Sequence, residues 1–434
     1  MNERLSEAFV ERMRIQLGNE LAAFLHAMED APVRGIRLNP LKPSESASQY
    51  RTNDPVAWAQ NGYYLSDDSK AGSTIMHAAG AFYIQEPAAM LPAAVLNAKP
   101  GEKILDLCAA PGGKSTQIGC AMRGEGLLVC NEPIPKRAQI LSGNIERMGL
   151  PNTIVTSAWP DQLADRWPEG FDAVLVDAPC SGEGMFRRDP ETRREWTAEK
   201  AEGCAARQRA ILASAAKLVR PGGRLVYSTC TYNPAENEDN VKWFTEEFKA
   251  FHQEAFSLPG IEAPEGVYTC YPHRLKGEGQ FAALFRKTGD GPANLPADRA
   301  MPKPSETEMK AFRECFPFYP KATHIFGSTL ISAPELPDVT GIRIMRAGLH
   351  LGEMRGKTPV PDHAAALCFN PPCAKITELD PEAAVKYMIG ETVPGEADGW
   401  TLISCQGLII GWGKGNDGVI KNHFPKGLRG RYLP

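Results

Sequence analysis

Two cysteines are the residues whose surroundings most favour chemistry, because each follows an apolar run and lies next to a Pro- or Gly-containing loop. Cys180 occurs in DAPCSGEGMFRRDP (177–190) and Cys230 in STCTYNPAENED (228–239). An isolated cysteine in a folded domain is most often an inert packing residue. Here an acid, Asp177, accompanies the pair, and paired strands lie about 5 Å apart. If the two runs are neighbouring strands, the three side chains meet over one pocket, which favours nucleophilic chemistry over packing.

A Gly-rich turn, AAPGGK (109–114), follows the apolar run KILDLC (103–108) and precedes Ser115. Glycines let a ligand approach the backbone closely, and N–H groups at the start of a helix can receive it. The sequence GGKS resembles the end of the phosphate loop GxxxxGK[ST]. That pattern requires Gly at position 108, which is Cys. A nucleoside triphosphatase is therefore not expected.

An acidic residue, Glu132, closes the apolar run LLVCNE (127–132). Doubly wound nucleotide sites place an acid at this point to bind the paired hydroxyls of a ribose. Helix capping or a surface role explains Glu132 equally well on spacing alone. Lys136 and Arg137 follow it, and they either border the same pocket or are solvated.

The elements that position these residues are short apolar runs separated by helix-length segments. They are KILDLC (103–108), LLVCNE (127–132), TIVTS (153–157), DAVLVDAP (172–179) and RLVYSTC (224–230). Such an alternation predicts an α/β domain built on a parallel sheet that is buried on both faces. Ligands of these sheets bind beyond the carboxyl ends of the strands. All of the candidate residues lie at those ends.

Further units are predicted on both sides of this central domain. Residues 1–95 form an α+β unit, with an amphipathic N-terminal helix, an extended segment at 33–42 and a second helix over about 86–97. A stretch rich in Pro, Gly and charge at 291–310 predicts a linker. Two smaller units follow at 311–372 and 373–434, and the second ends in a basic tail.

Composition sets the broad class of the protein. The chain has 434 residues, 43% of them apolar, and a formal net charge of −4, which predicts two or three domains and leaves a nucleic-acid partner open. No leader peptide or membrane-length apolar stretch is visible, so we expect a soluble, cytoplasmic protein. Eleven scattered cysteines do not form a disulfide framework. Cys368 and Cys373 fit none of the common zinc spacings, and no metal is expected.

Three motifs identify a family resemblance. LDLCAAPGGKS (105–115), LVDAPCSGEGMFRRDP (175–190) and YSTCTYNPAENED (227–239) resemble the successive motifs of the RsmF-like branch of the NSUN (Sun/Fmu) RNA cytosine-5 methyltransferase family. RLNPLK, AFYIQEPAAM, YPHRLKGEGQFAALFRK and KNHFPKGLRG extend the match. The resemblance implies a Rossmann-like class I methyltransferase domain at 96–290. It also implies a ferredoxin-like, RNA-binding N-terminal domain at 1–95 and a PUA-like RNA-binding domain at 373–434.

The resemblance further implies S-adenosyl-L-methionine as the cofactor and a role for individual residues. The cofactor-binding residues would be Cys108, Ala109, Ala110, Pro111, Gly112, Gly113, Lys114, Glu132, Arg137, Ser157 and Asp177. Ser157 stands where this branch more often has Asn or an acid near the adenine. Cys230 would be the nucleophile that attacks carbon 6 of cytosine, Cys180 would help to resolve the intermediate, and Asp177 would lie between cofactor and base.

Substrate contacts are expected at the cysteine site and in the basic tail. The residues are Pro179, Lys114, Arg187, Arg188, His273, Lys421, Lys426 and Arg429. Cations and aromatics are mixed over 186–196, a combination suited to phosphates and stacked bases. Residues 273–278 form a turn that either lines the pocket or is purely structural.

Two other classes of function were weighed against an RNA cytosine-5 methyltransferase. A DNA cytosine methyltransferase would carry its nucleophile in a PCQ motif, whereas this chain has PCSGEG and a second cysteine in a TC dipeptide. An RNA-binding module without catalysis is disfavoured by the full set of Asp177, Cys180 and Cys230. Within the family, the RsmF-like branch favours 16S ribosomal RNA, with transfer RNA as the alternative. We expect a monomer.

Overall fold

The computed structural model describes residues 5–66, 69–333, 335–368, 375–430 and 432. Its strands form five sheets of four, nine, two, four and five strands. The predicted α/β class is confirmed, because the five central strands of the largest sheet are parallel and Rossmann-like, with antiparallel strands at both edges. In the described ranges, no helix has the length and apolar character needed to cross a membrane.

The N-terminal unit is a small α+β structure. Its elements are α1 (Glu7–Leu17), α2 (Leu21–Ala27), β1 (Gly35–Leu38), α3 (Glu45–Ser48), β2 (Arg51–Pro55), β3 (Gly62–Leu65), α4 (Ile75–Ala78) and β4 (Phe82–Ile84). The antiparallel sheet has the order β2–β3–β1–β4. From β1 onward the succession of elements is β–α–β–β–α–β, which is the succession of ferredoxin-like units.

The predicted amphipathic N-terminal helix is present as two helices rather than one. Phe9, Met13 and Leu17 are buried on one face of α1, at the spacing from which the helix was predicted. The helix ends at Gly18, whose φ of 53° lies in the left-handed region that glycine adopts at little cost. The chain then makes a 3₁₀ turn, and α2 buries Phe24 in the same apolar cluster as Phe9.

The central unit contains the large sheet and its covering helices. Its elements are α5 (Leu91–Leu96), β5 (Lys103–Asp106), α6 (Gly113–Met122), β6 (Leu127–Asn131), α7 (Pro135–Met148), β7 (Thr153–Thr156), α8 (Pro160–Arg166), β8 (Phe171–Asp177), α9 (Pro190–Glu195), α10 (Ala198–Leu218), β9 (Val219–Thr229), α11 (Glu238–Glu247), β10 (Phe251–Gln253), β11 (Phe256–Leu258), β12 (Ile261–Ala263), β13 (Val267–Cys270) and β14 (Gln280–Lys287). The strand order is β10–β14–β9–β8–β5–β6–β7, with β13 beside β14. All five predicted strands are present, and β8 and β9 are neighbours in parallel register.

This sheet is buried on both faces because its strands are apolar at consecutive positions. Ile104 of β5 packs in one apolar cluster and the adjacent Leu105 in another, on the opposite face. Leu128 and Val129 of β6 divide in the same way. The core therefore lies on both sides of the sheet, and only the strand ends are left to build a site.

The second predicted helix begins later than expected. The carboxylate of Glu86 accepts hydrogen bonds from the N–H groups of Ala88 (2.9 Å) and Ala89 (2.7 Å), and the chain first forms a 3₁₀ turn. The α-helix α5 starts at Leu91, with Pro92 in its first turn, where a missing N–H costs nothing.

The C-terminal region forms two more sheets. Its elements are α12 (Glu306–Cys315), β15 (His324–Phe326), β16 (Thr329–Ser332), β17 (Ile344–Ala347), β18 (Leu349–Arg355), β19 (Thr358–Pro361), α13 (His363–Cys368), β20 (Ile376–Leu379), α14 (Pro381–Ile389), β21 (Val393–Pro394), β22 (Gly399–Cys405), β23 (Leu408–Asn416) and β24 (Val419–Asn422). The sheet orders are β15–β16–β18–β19 and β20–β22–β23–β24–β21. The predicted boundary at 372/373, with Cys373, lies outside the described residues.

One strand of the C-terminal region joins the central sheet, which the sequence did not indicate. β17 pairs antiparallel with β7, with Ile344 opposite Thr156 and Ala347 opposite Ile154. A parallel edge strand would otherwise expose a row of unpaired N–H and C=O groups. The unit at 311–372, which contains β17, is therefore built onto the edge of the central sheet that lies nearest to Ser157.

Candidate active site

The two cysteines of the sequence prediction meet at the ends of neighbouring strands. Asp177, the last residue of β8, is in register with Ser228 of β9, and the chain then delivers Cys180 and Cys230 to the same end of the sheet. Their Sγ atoms lie 3.2 Å apart, and the N–H of Cys230 donates to the Cys180 sulfur at 3.3 Å. Both thiols are free and only partly buried. The structure therefore brings together the three residues from which chemistry was predicted.

Cys180 is held in its protonated form. The hydrogen bond with Cys230 and burial together raise the pKa of the Cys180 thiol well above its usual range. The nearby carboxylate of Glu236 adds to the same effect. Cys180 therefore carries a proton that it can share with the Cys230 sulfur.

The acid between the cysteines and the Gly-rich loop is ion-paired. Lys114 Nζ donates to Asp177 Oδ2 at 2.7 Å, and the Ser228 hydroxyl donates to Asp177 Oδ1 at 3.0 Å. Burial lowers the pKa of Lys114, but the attraction of Asp177 outweighs it, and the net shift is upward. Lys114 is therefore an ammonium group.

The Gly-rich loop between β5 and α6 is shaped by its neighbours. Gly112 has a φ of 113°, in the left-handed region, and a Cβ there would approach Leu141 Cδ1 to 3.1 Å. Asn144 Nδ2 donates to the Pro111 carbonyl (2.9 Å) and Arg137 Nη2 to the Ala110 carbonyl (3.1 Å). Side chains of α7 thus fix the outer wall of this loop.

A buried acid lies beneath the loop. Burial raises the pKa of Asp106 to about 7, although the Ser115 hydroxyl donates to its Oδ2 at 2.6 Å. Its other oxygen, Oδ1, has no hydrogen-bond partner in the structure. Cys108, two residues later, has its thiol pKa raised by burial and is neutral.

Glu132 has a structural role at the start of α7 and is buried rather than at the surface. Its carboxylate is 2% exposed, pairs with Arg137 Nη1 at 3.0 Å and accepts from the N–H of Ile134 at 3.0 Å, at the start of α7. It therefore anchors the helix and lies at the end of β6, where a ribose would be bound. The Ser157 hydroxyl donates to the Pro133 carbonyl at 3.2 Å, which places Ser157 beside this strand end.

The carbonyl of Pro179 is oriented by a network that the sequence did not reveal. Gln208 Nε2, on α10, donates to the Pro179 carbonyl at 3.0 Å and to Glu236 Oε2 at 2.9 Å. Glu236 also accepts from the N–H of Ser181 at 2.9 Å. The loops that follow β8 and β9 are joined by this network.

Some predicted RNA contacts are corrected by the structure. Arg187 is 4% exposed at its side chain, pairs with Glu278 at 2.9 Å and donates to the Ala27 carbonyl at 3.0 Å, so its guanidinium is not free for phosphate. Phe186 and Trp196 are buried at 2% and 8% exposure and are not available for stacking. These two aromatic residues lie near cations in the sequence because they pack in the core, not because they stack on bases. Arg188, in contrast, is exposed.

The 273–278 turn has the contacts of a structural turn. His273 Nε2 contacts Glu20 Oε2 at 3.0 Å, with its own side chain 5% exposed, and Arg274 Nη2 pairs with Glu20 Oε1 at 2.7 Å. Lys276 pairs with Asp54 at 3.0 Å. The turn is thereby fastened to the N-terminal unit.

The basic tail lies on the C-terminal five-stranded sheet, away from the elements that carry the cysteines. Lys421, on β24, and Lys426 are exposed. Arg429 is exposed but donates to the Phe424 carbonyl at 3.3 Å. Lys414, opposite Lys421 across β23 and β24, lies over the Trp400 ring. Among the described residues, no group of three or more His, Cys, Asp or Glu could hold a metal ion.

Sequence reasoning missed the residues that act through long-range contacts. The N-terminal helix is held against the cysteine loops, the loops that carry Cys180 and Cys230, by contacts of Arg12, Gln16 and Glu183. No local pattern marks these three residues. Two exposed apolar side chains were also missed, Ile134 (44%) and Trp159 (59%), which follow β6 and β7 beside the cofactor-facing strand ends. Their apolar character in a loop is the signal that could have found them.

Four family models match the chain in succession. They are the N-terminal domain of 16S rRNA methyltransferase RsmF (residues 5–87), 16S rRNA methyltransferase RsmB/F (93–286), the RsmF rRNA methyltransferase first C-terminal domain (311–369) and the methyltransferase RsmF PUA domain (374–430). Together they cover most of the chain.

Curated relatives resemble the chain over almost its whole length. A ribosomal RNA small subunit methyltransferase F from Citrobacter koseri is 33% identical, over 97% of this chain and 96% of its own. The protein of the same name from Aeromonas hydrophila is 35% identical, over 91% and 90%.

Solved structures resemble about two thirds of the chain. A methyltransferase homolog protein from Pyrococcus horikoshii is 28% identical, with a TM-score of 0.55, over 65% of this chain and all of its own. NSun6 from the same organism has a TM-score of 0.56 at 23% identity, over 66% of this chain and 99% of its own, which shows a shared fold.

Proposed function

The chain belongs to the RsmB/F family of 16S rRNA methyltransferases, and we propose that it methylates carbon 5 of a cytosine in small-subunit ribosomal RNA. The observation that carries the proposal is the contact of two free thiols, Cys180 and Cys230, 3.2 Å apart at the end of the strand that carries Asp177. Carbon 5 of cytosine is too weak a nucleophile to be methylated directly. A thiol that adds to the ring divides one difficult step into easier ones.

The residues at the strand ends fit S-adenosylmethionine. Asp106 has one buried carboxyl oxygen without a partner, at the end of the strand that precedes the Gly-rich loop. Glu132 follows β6 and Asp177 ends β8, the two strands on either side of β5. This set of acids is suited to a cationic cofactor with ribose hydroxyls. The loop 108–114 would hold the methionine part, Glu132 and Arg137 the ribose end, and Ser157 would lie near the adenine. The bound cofactor supplies an electrophilic methyl group.

Cys230 acts as the nucleophile in this proposal. Its sulfur forms a bond to carbon 6 of cytosine, and the electrons of the 5,6 double bond make carbon 5 able to accept the methyl group. Water that enters the site then takes the proton from carbon 5, the double bond re-forms, the carbon–sulfur bond breaks, and Cys230 leaves as a thiolate. Cys180 keeps its proton beside Cys230, since its pKa is raised, and stabilises the Cys230 thiolate both before addition and after expulsion.

Asp177 and Lys114 balance the charge that develops on the base. Negative charge moves onto the ring nitrogen as the thiolate adds. The Lys114 ammonium group donates to Asp177 Oδ2 at 2.7 Å, and a proton can pass from Lys114 through this carboxylate to the ring nitrogen as its negative charge develops. The Pro179 carbonyl, fixed by Gln208, has a second lone pair for the exocyclic amine.

The RNA must present an unstacked cytosine to this pocket. A base in a loop or single strand is unstacked at low cost. Arg188 near the site, Lys421 on β24, and Lys426 and Arg429 after that strand are exposed cations suited to phosphates. That this protein binds RNA is proposed from its family. Its cytoplasmic location and its monomeric state stay predictions.

The test is methyl incorporation from labelled S-adenosylmethionine into 16S rRNA, small ribosomal subunits, transfer RNA and DNA. We expect label in 16S rRNA or the subunit, located as 5-methylcytosine after digestion. Label only in transfer RNA would replace the substrate, and label on another base atom would overturn the proposed chemistry.

A further inference from the structure

The first helix, α1, lies against the loops that follow β8 and β9. Arg12 of this helix donates from Nη1 to Glu183 Oε1 (2.7 Å) and from Nη2 to Glu183 Oε2 (2.6 Å). Glu183 is fully buried and comes three residues after Cys180. A two-point pair fixes the direction of a carboxylate as well as balancing its charge. The Cys180 loop is therefore fastened to α1 by an ion pair.

The same carboxylate holds the Cys230 loop. Glu183 Oε2 accepts from the N–H of Tyr232 at 3.2 Å, two residues after Cys230. Gln16, one turn beyond Arg12 on α1, donates to the Tyr232 carbonyl at 3.1 Å. Both backbone groups of Tyr232 are thus held by contacts that begin on α1.

A backbone hydrogen bond joins the two loops at the nucleophile itself. The N–H of Gly184 donates to the Cys230 carbonyl at 2.9 Å. Because Gly184 follows Glu183, a rotation of the Glu183 side chain and its peptide moves the donor that holds Cys230. Any such displacement changes the 3.2 Å contact between the two thiols.

Aromatic packing holds α1 and α2 against the same loops. The Phe9 and Phe186 rings are 5.1 Å apart between centroids, and the Phe24 and Tyr232 rings 5.3 Å, both edge-to-face. Trp196 packs on Phe9 and donates from Nε1 to Glu183 at 2.9 Å. The buried face of α1 and α2 is therefore directed at the cysteine loops.

We propose that α1 is a positioning element for the two cysteine loops and that Arg12 is its principal positioning residue. This inference rests on the proposed function. Arg12 acts through Glu183, Gly184 and the Tyr232 backbone on the placement of Cys230. The loop 108–114 is instead held from α7 and by Arg37 of β1, so we expect cofactor binding not to depend on Arg12.

The test compares the full-length protein with Arg12→Ala, Arg12→Lys and Arg14→Ala variants. Arg14 is the matched control because it lies on the same helix, is 59% exposed and pairs only along the helix with Glu11. Single-turnover methyl transfer at saturating 16S rRNA is measured beside cofactor affinity, RNA affinity and the circular dichroism of each variant. We expect Arg12→Ala to lower the rate about 100-fold, as small misplacements of reacting groups do.

Arg12→Lys should fall between Arg12→Ala and the unaltered protein, because it keeps the charge without the two-point geometry. Arg14→Ala should match the unaltered protein, and cofactor affinity should be the same in all four. An unchanged Arg12→Ala rate, or a loss that disappears once RNA is saturating, overturns the inference.

A second variant covers the case in which Arg12→Ala does not fold. Gln16→Ala removes only neutral hydrogen bonds, and it should reduce the rate in the same direction with unchanged cofactor affinity. A Gln16→Ala rate equal to that of the unaltered protein then overturns the inference. Failure of the proposed function is recognised separately, because the unaltered protein itself would then transfer no methyl group to RNA.

Discussion

Lys114 Nζ and Asp177 Oδ2 lie 2.7 Å apart, so an ion pair joins the Gly-rich loop to the strand end beside the two cysteines. The loop follows β5 and the acid ends β8, which are adjacent strands of the sheet. Each partner is placed by a different part of the site, and the Asp177 carboxylate helps to raise the pKa of Lys114. The pair therefore couples the side that would bind cofactor to the side that would bind the base.

Replacing Lys114 by Met should lower methyl transfer by about 100-fold or more, the effect of removing a preorganised charged donor. The Asp177 carboxylate would lose its cation and, with it, the donor of the proton that it passes to the base. Single-turnover rates measure this. Lys136→Met, on exposed α7 surface, is the control, and equal rates for Lys114→Met and Lys136→Met would contradict the role of the pair.

Cys230→Ala should abolish methyl transfer while cofactor binding is retained, because the nucleophile is lost and the loop 108–114 is untouched. Methyl incorporation and cofactor affinity are the two measurements. Cys315→Ala, an exposed cysteine of α12, is the matched control and should remain active. Residual transfer by Cys230→Ala above background would mean that another group attacks the base.

Cys180→Ala should trap the covalent intermediate. The thiol that shares its proton with Cys230 would be missing when the nucleophile has to leave. A protein–RNA band that survives denaturing electrophoresis is the expected signal, with little multiple turnover. The double variant Cys180→Ala/Cys230→Ala should give no such band. Lost turnover without a band in Cys180→Ala would assign Cys180 to an earlier step.

The central sheet and the cysteine site could be predicted from the sequence because both depend on local patterns. Apolar runs mark strands that are buried on both faces, and a residue at a strand end is placed by the strand itself. Cys180, Cys230 and Asp177 are together for that reason. The sequence predicted where Glu132 lies but not what it does, since this one residue both contacts the start of α7 and lies at a strand end.

Long-range contacts were not readable from the sequence. Arg187 resembled a phosphate ligand until the fold brought Glu278, 91 residues away, against it. Arg12 and Glu183, 171 residues apart, carry no shared pattern. β17 lies beyond the predicted linker and joins the central sheet at β7 through tertiary packing. The periodicity of a strand does not show which sheet edge it joins.

Stability should vary with pH through Asp106. Burial raises its pKa from 3.8 to about 7 in the folded protein. Since the folded state holds the proton more tightly than the unfolded state, this contribution to stability is complete below pH 4. It is lost progressively, by about 1.4 kcal/mol per pH unit, as the pH rises towards 7. Above pH 7 the folded protein carries a buried carboxylate whose Oδ1 has no partner.

Asp106→Asn should remove this pH dependence, because the amide is neutral and its oxygen can still accept from the Ser115 hydroxyl. Thermal unfolding of the variant and the unaltered protein should differ most at pH 8, where the variant is the more stable, and least near pH 4. Asp161→Asn, at an exposed site on α8, controls for the loss of one negative charge. A difference between Asp106→Asn and the unaltered protein that stays constant from pH 4 to pH 8 would show that Asp106 is ionised throughout, and that its buried oxygen is compensated by another group.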